Sequence, residues 1–147
     1  MGFSVSGATA VILIGGLIAF SFAFSAVNNG YERVSAAQED RDDRQLLQAN
    51  SDVGIETATY DDADGTLTVN ATNTGSTELV VSEVSLLVDG TYRTNVTTSV
   101  DGNTATDVLL AGEVLTMTVN QSVRPDRVKV VTGTGVSAVS TEVNASA

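Results

Sequence analysis

The chain has 147 residues and contains no His and no Cys, which excludes a Ser-His-Asp triad, a thiol nucleophile, disulfides and Cys/His zinc sites. A formal net charge of -11 excludes a nucleic-acid surface, because binding phosphate backbones needs clustered Lys and Arg, and Lys129 is the one lysine. Charge is also unevenly spread: residues 1–31 carry none, residues 32–50 carry five acids and three arginines, and residues 51–147 carry thirteen acids against four bases.

The first predicted element is an apolar helix. Ala8 to Val27 run for twenty residues without a charge, and at about 1.5 Å per residue they span roughly 30 Å, the thickness of a bilayer's hydrocarbon core. A cleaved secretory signal is the competing reading, with Ala23-Phe24-Ser25 as a small-residue cleavage site. Against it, the run exceeds the usual length of about 7 to 15 residues, and the head MGFSVSG has no Lys or Arg. The missing basic residue also counts against a pilin-type leader. Residues 1–27 are therefore expected to form an N-terminal tail and a retained transmembrane helix. Gly15, Gly16, Ala19 and Ala23 put small residues on one face, where a partner helix can approach closely, although Gly is common in membrane helices in any case.

Residues 28–50 are predicted to continue the helix as a charged neck. They contain no Pro, place Asp40 and Arg44 at i,i+4, and end in the good helix formers Leu46 and Leu47. Tyr31, Val34, Gln38, Arg41, Gln45 and Gln48 nearly follow a heptad, but only two of them are apolar, so a solvated bridge about 35 Å long is expected in preference to a coiled coil. Orientation divides the signals. Arg33, Arg41 and Arg44 all follow the apolar run, which by the positive-inside rule puts the C-terminal part in the cytoplasm. The acidic neck, a Thr-rich β body and four N-x-Ser/Thr sequons, at Asn70, Asn95, Asn120 and Asn144, argue for the outside, and that is the expectation adopted.

From Val53 the period changes to two. Val53, Ile55, Thr57 and Thr59 alternate up to the acidic turn Asp61-Asp62-Ala63-Asp64-Gly65, and Leu67, Val69 and Ala71 alternate up to Asn73-Thr74-Gly75-Ser76. Further strands are predicted over Leu79 to Val88, closed by Asp89-Gly90, and over Tyr92 to Val100, closed by Asp101-Gly102. Val108 to Leu110 precedes the turn Ala111-Gly112-Glu113, and Val114 to Asn120, Val128 to Thr132 and Val136 to Val143 complete the set. Seven or eight strands with turns at this spacing predict that residues 51–147 are an all-β immunoglobulin-like sandwich, without its disulfide or buried Trp.

Three stretches resemble known sites and have plainer readings. Asp61, Asp62 and Asp64 look like part of a calcium loop but lack the closing bidentate Glu, so an ordinary acidic turn is expected. Gly133-Thr134-Gly135 is no phosphate cradle, since neither Lys nor a helix signal follows, and reads as a strand bend or bulge. Neck carboxylates such as Glu39 and Asp40 have no pocket to shift their pKa values. No catalytic residue, metal site or cofactor is expected, and the chain is read as a non-enzyme. An acidic surface with almost no Lys over an ordinary core of 42% apolar residues suits very high salt, where the Debye length falls to about 3 Å at 1 M.

The start MGFSVSGATAVILIGG, the step Tyr31-Glu32-Arg33-Val34 and the run from Leu67 to Thr77, LTVNATNTGST, resemble the haloarchaeal F-type accessory protein of the archaellum, the archaeal flagellum. Ser82 to Gly90 and Arg127 to Val136 fit the same family. The likeness runs over nearly the whole chain; its N-terminal stretch is distinctive, whereas Asn-Thr-Gly-Ser-Thr recurs in many archaeal surface sandwiches. One departure is Ala111-Gly112-Glu113, where such domains often have Pro-Gly-Glu. The resemblance implies a single-pass anchor in the cytoplasmic membrane and an immunoglobulin-like domain beneath the surface layer. It also implies binding of surface-layer protein as part of the motor's stator, dimerisation, and a G-type accessory protein as partner. A filament subunit of the pilin kind and a generic cell-envelope adhesion module remain open as alternatives.

Overall fold

The computed structural model describes residues 2–146, with side chains from Ser6 onward. Helix α1 runs without a break from Gly2 to Asn50, so the apolar segment and the neck are one element, as predicted. It is long and apolar enough to cross a membrane. Its large apolar side chains from Val11 to Val27 are between 54% and 74% exposed, and they lie on every side of the helix rather than in one stripe. Water does not tolerate so much uncovered apolar surface, whereas lipid does. The chain divides into two units, Met1–Asp43 and Arg44–Ala147, the second taking in the last turns of the helix.

The second unit is a two-sheet sandwich. One sheet has the order β11-β1-β2-β8-β6, built from β1 (Val53–Asp61), β2 (Thr66–Asn73), β6 (Thr97–Val100), β8 (Val114–Asn120) and β11 (Asn144–Ala145). The other has the order β10-β9-β4-β5, built from β4 (Ser85–Val88), β5 (Thr91–Arg93), β9 (Val128–Val131) and β10 (Ser137–Ser140). A small pair joins β3 (Leu79–Val80) to β7 (Val108–Leu109). All neighbours run antiparallel except β11, which pairs parallel with β1. Four main strands in the order β1-β2-β8-β6 facing β10-β9-β4-β5 are compatible with the A-B-E-D and G-F-C arrangement of immunoglobulin-like sandwiches.

The inward sides meet in one core. Leu67, Val69 and Ala71 of β2 and Leu115, Met117 and Val119 of β8 are buried, and Leu86, Val88, Val128 and Val130 face them from the second sheet. Each fully buried aliphatic side chain contributes about 1.5–3 kcal/mol relative to exposure, so these alternating strands supply most of the drive to fold. Asp89 and Gly90 link β4 to β5 with φ of 50° and 81°, the positive pair that a tight two-residue hairpin requires.

Four local expectations change. In β1 the register slips between Ile55 and Thr57, so Glu56 is an extra residue and the inward set shifts to Ala58 and Tyr60, while Thr57 and Thr59 face out. The predicted strand Leu79–Val88 is broken by a 3-10 turn at Val81–Glu83, because β3 and β4 belong to different sheets. The predicted strand Tyr92–Val100 likewise divides at Thr94–Val96, where the chain crosses from β5 in one sheet to β6 in the other. Finally, Gly133-Thr134-Gly135 is the turn of the β9–β10 hairpin, with Gly135 N donating to Thr132 O at 2.9 Å, and not a bend or bulge within a strand.

Candidate functional surface

The outward side of the five-stranded sheet follows from the same alternation that fills the core. Register places Thr59, Thr68, Thr118 and Thr97 in one row across β1, β2, β8 and β6, and Thr57, Asn70, Thr116 and Ser99 in the next. Neighbouring strands lie about 4.8 Å apart and alternate residues about 6.8 Å apart, so the hydroxyls form a regular grid. The second row is internally bonded: Asn70 Nδ2 donates to Thr57 Oγ1 at 3.0 Å, and Thr116 Oγ1 donates to Asn70 Oδ1 at 2.9 Å. Neither row contains a charged residue, although the molecule carries a net charge of -11. The sequence shows this only as Thr-x-Thr at 57–59, 66–68 and 116–118; strand register is what aligns them.

The opposite sheet presents a different surface. Tyr92, Leu87, Lys129 and Val139 form a row across β5, β4, β9 and β10. Tyr92 and Val139 are more than half exposed, and Lys129 is the row's one charge.

The third feature is the junction between helix and sandwich. A helix leaves its last four carbonyls without partners, and three of the four are satisfied here. Ser51 Oγ donates to Leu47 O at 2.7 Å and Ser51 N to Gln48 O at 3.3 Å. Asn50 O accepts from Ser76 N at 2.9 Å and Thr77 N at 3.1 Å. The loop from Asn73 to Thr77 thus fastens the end of α1 to the sandwich. Asn73 is buried and holds that loop in shape: its Nδ2 donates to Thr77 O at 2.8 Å and Leu109 O at 3.1 Å, and its Oδ1 accepts from Gly75 N at 3.0 Å. A Cβ on Gly75 would stand 2.6 Å from Asn50 O, so this position must be glycine for backbone to meet backbone. Beside the junction a cleft of about 410 Å³ is lined by Arg44, Leu47, Gln48, Glu83, Gly133 and Thr134.

The four sequon asparagines lie in unlike settings. Asn70 is in the middle of β2 with both ends of its amide bonded. Asn144 is exposed in β11, paired opposite Thr59. Asn120 closes β8 opposite Thr66. Asn95 is exposed in the crossover between β5 and β6. Asn95 and Asn120 line the same groove, of about 320 Å³, together with Tyr92, Arg93, Thr97 and Thr118. In the acidic turn, Asp61 Oδ1 accepts from Ala63 N at 2.9 Å and Asp64 N at 3.3 Å, so that carboxylate serves the backbone of its own turn. Among the described residues no cluster of three or more Asp and Glu could hold a metal ion.

No family model matches the chain, and no curated protein matches it. Among solved structures it is similar to the archaellum periplasmic stator protein FlaG from Sulfolobus acidocaldarius, at 18% identity and a TM-score of 0.42, over 61% of this chain and 99% of that one. It is also similar to the archaellum periplasmic stator protein complex FlaF and FlaG from the same organism, at 18% identity and a TM-score of 0.43, over 60% of this chain and 87% of that one.

Proposed function

We propose that the protein is a membrane-anchored stator component of the archaellum motor, held by α1 in the cytoplasmic membrane, with its sandwich outside and beneath the surface layer. It is a mechanical part and not an enzyme. A rotary filament needs something that does not turn, and a lone helix in fluid lipid resists torque poorly because it diffuses. A folded head that grips a protein lattice supplies the fixed point. The sequence resemblance to F-type accessory proteins motivates this reading. The observation that carries it to the molecule is the uncharged hydroxyl grid on the five-stranded sheet. At molar salt, charge reaches only about 3 Å into solution, so lattice binding under those conditions favours neutral hydrogen-bonding surface over ion pairs. The row Tyr92, Leu87, Lys129 and Val139 is the surface offered to a second copy or to a G-type accessory protein, because it carries the larger exposed apolar side chains.

Cosedimentation of the purified protein in detergent with isolated surface-layer sheets at 2 M salt tests the reading. Binding that is lost when Thr68 and Thr118 are both replaced by Lys is expected. Normal swimming and filament assembly in cells lacking the protein would instead leave a generic envelope module. A native N-terminus cut just before Ala8 would point to a filament subunit.

A further inference from the structure

We propose that Asn95 is the sandwich's N-glycosylation acceptor and that the sequons at Asn70, Asn120 and Asn144 are left unmodified. The inference rests on the reading that the head lies outside the membrane. The four motifs are equivalent as sequence, since none has Pro at the middle position; the backbone separates them. A transferase acting on a folded head must seat the acceptor tripeptide in its own site, so both the amide and the chain around it have to be free to leave their partners. At Asn70 they are not. The residue lies in β2, paired on one side with Thr57 of β1 and on the other with Thr116 of β8, and its side-chain amide bonds Thr57 and Thr116 as well. Asn120 is paired with Thr66, and the next residue, Gln121, donates its N–H to Gly65 O at 2.8 Å and accepts from Tyr60 Oη at 3.0 Å. Asn144 and Ala145 are paired with Thr59 and Tyr60, and Ser146 N donates to Tyr60 O at 2.8 Å. Freeing any of these three means breaking sheet or hairpin bonds.

Asn95 itself has no strand partner, while Val96 packs against the core and Thr97 opens β6 opposite Thr118. Thr94, Asn95 and Val96 form the crossover between the sheets and belong to no strand. Asn95 and Thr97, the two chemically required residues, are both exposed. In the transfer, Asn95 Nδ2 forms a C–N bond to the anomeric carbon of a lipid-phosphate-linked oligosaccharide. The bond from that carbon to the lipid phosphate oxygen breaks, the phosphate leaves with the electron pair, and the amide releases one proton.

The test is glycopeptide mass spectrometry on the full-length protein purified from an archaeal host that performs N-glycosylation. A glycan mass on the peptide bearing Asn95 is expected. It should vanish in Asn95→Gln and in Thr97→Val, return in Thr97→Ser, and persist in Asn120→Gln. A glycan on Asn70, Asn120 or Asn144, or an unmodified Asn95, overturns the inference. Topology is read in parallel with Thr104→Cys, the only cysteine in that variant, labelled on intact cells by a membrane-impermeant maleimide. Labelling with a bare Asn95 sinks this inference and leaves the proposed function standing; absence of labelling in cells whose lysate does label sinks both.

Discussion

The helix before Asp43 and the sandwich after it are stabilised from opposite directions. In the sandwich, Leu67, Leu86, Leu115 and Val130 are hidden by one another, and the surroundings matter little. In the helix, Leu13, Phe20 and Phe22 have no such cover and remain more than 60% exposed. Its backbone is satisfied internally by the helical ladder, but its side chains are satisfied only by a medium other than water. The same elementary rule, that apolar surface leaves water, therefore yields a self-contained body in one part and a dependence on apolar surroundings in the other.

Substitutions can separate the two halves. The largest effect is expected from Leu67→Ala, which opens a cavity in the core and should cost the sandwich about 3–4 kcal/mol. Thermal unfolding followed by circular dichroism checks it, and membrane fractionation should not change. Ile14→Lys should do the reverse: about 3 kcal/mol is lost from membrane insertion, moving protein from the membrane pellet to the soluble or aggregated fraction while the sandwich melts at its usual temperature. A fall in that melting temperature would show that the halves are coupled. Gly75→Ala places a methyl against the backbone of Asn50 and Asp52 and should cost about 2 kcal/mol by overpacking. It is expected to raise proteolysis at residues 50–52 before it loosens the core. The smallest effect is expected from Thr68→Val with Thr118→Val, within about 0.5 kcal/mol of the parent. If lattice binding survives that pair unchanged in a cosedimentation assay, the hydroxyl grid is not the docking face.

The elements visible in the sequence are those set by local pattern. The uninterrupted apolar run gave α1, strict alternation gave β2 and β8, and Asp89-Gly90 gave its hairpin. What escaped was decided by distant partners. Nothing near Glu56 announces that it is left over when β1 pairs with β2; the bulge appears because Val53 must face the core at one end of the strand and Tyr60 at the other. The break at Val81–Glu83 and the crossover at Thr94–Val96 both exist because the chain changes sheets, and periodicity carries no record of which sheet a strand joins. The candidate surface was hidden for the same reason. Four Thr from four strands become a row only once register is known. The Asn-Thr-Gly-Ser-Thr run is legible in sequence only as a likeness to other proteins, while its work of holding the helix end depends on contacts with Asn50 and Leu109.

Strand β1 starts three residues after Asn50, and its far end carries β11, whose Ala145 lies opposite Tyr60. Seven residue steps from Val53 to Tyr60 separate the two, about 23 Å of extended chain. A pull applied between these poles acts along β1, at right angles to the antiparallel hydrogen bonds that tie it to β2. Such bonds are loaded in shear and must fail together, whereas bonds pulled lengthwise unzip in turn, so β1 resists being drawn out along its own axis better than being peeled away from its edge.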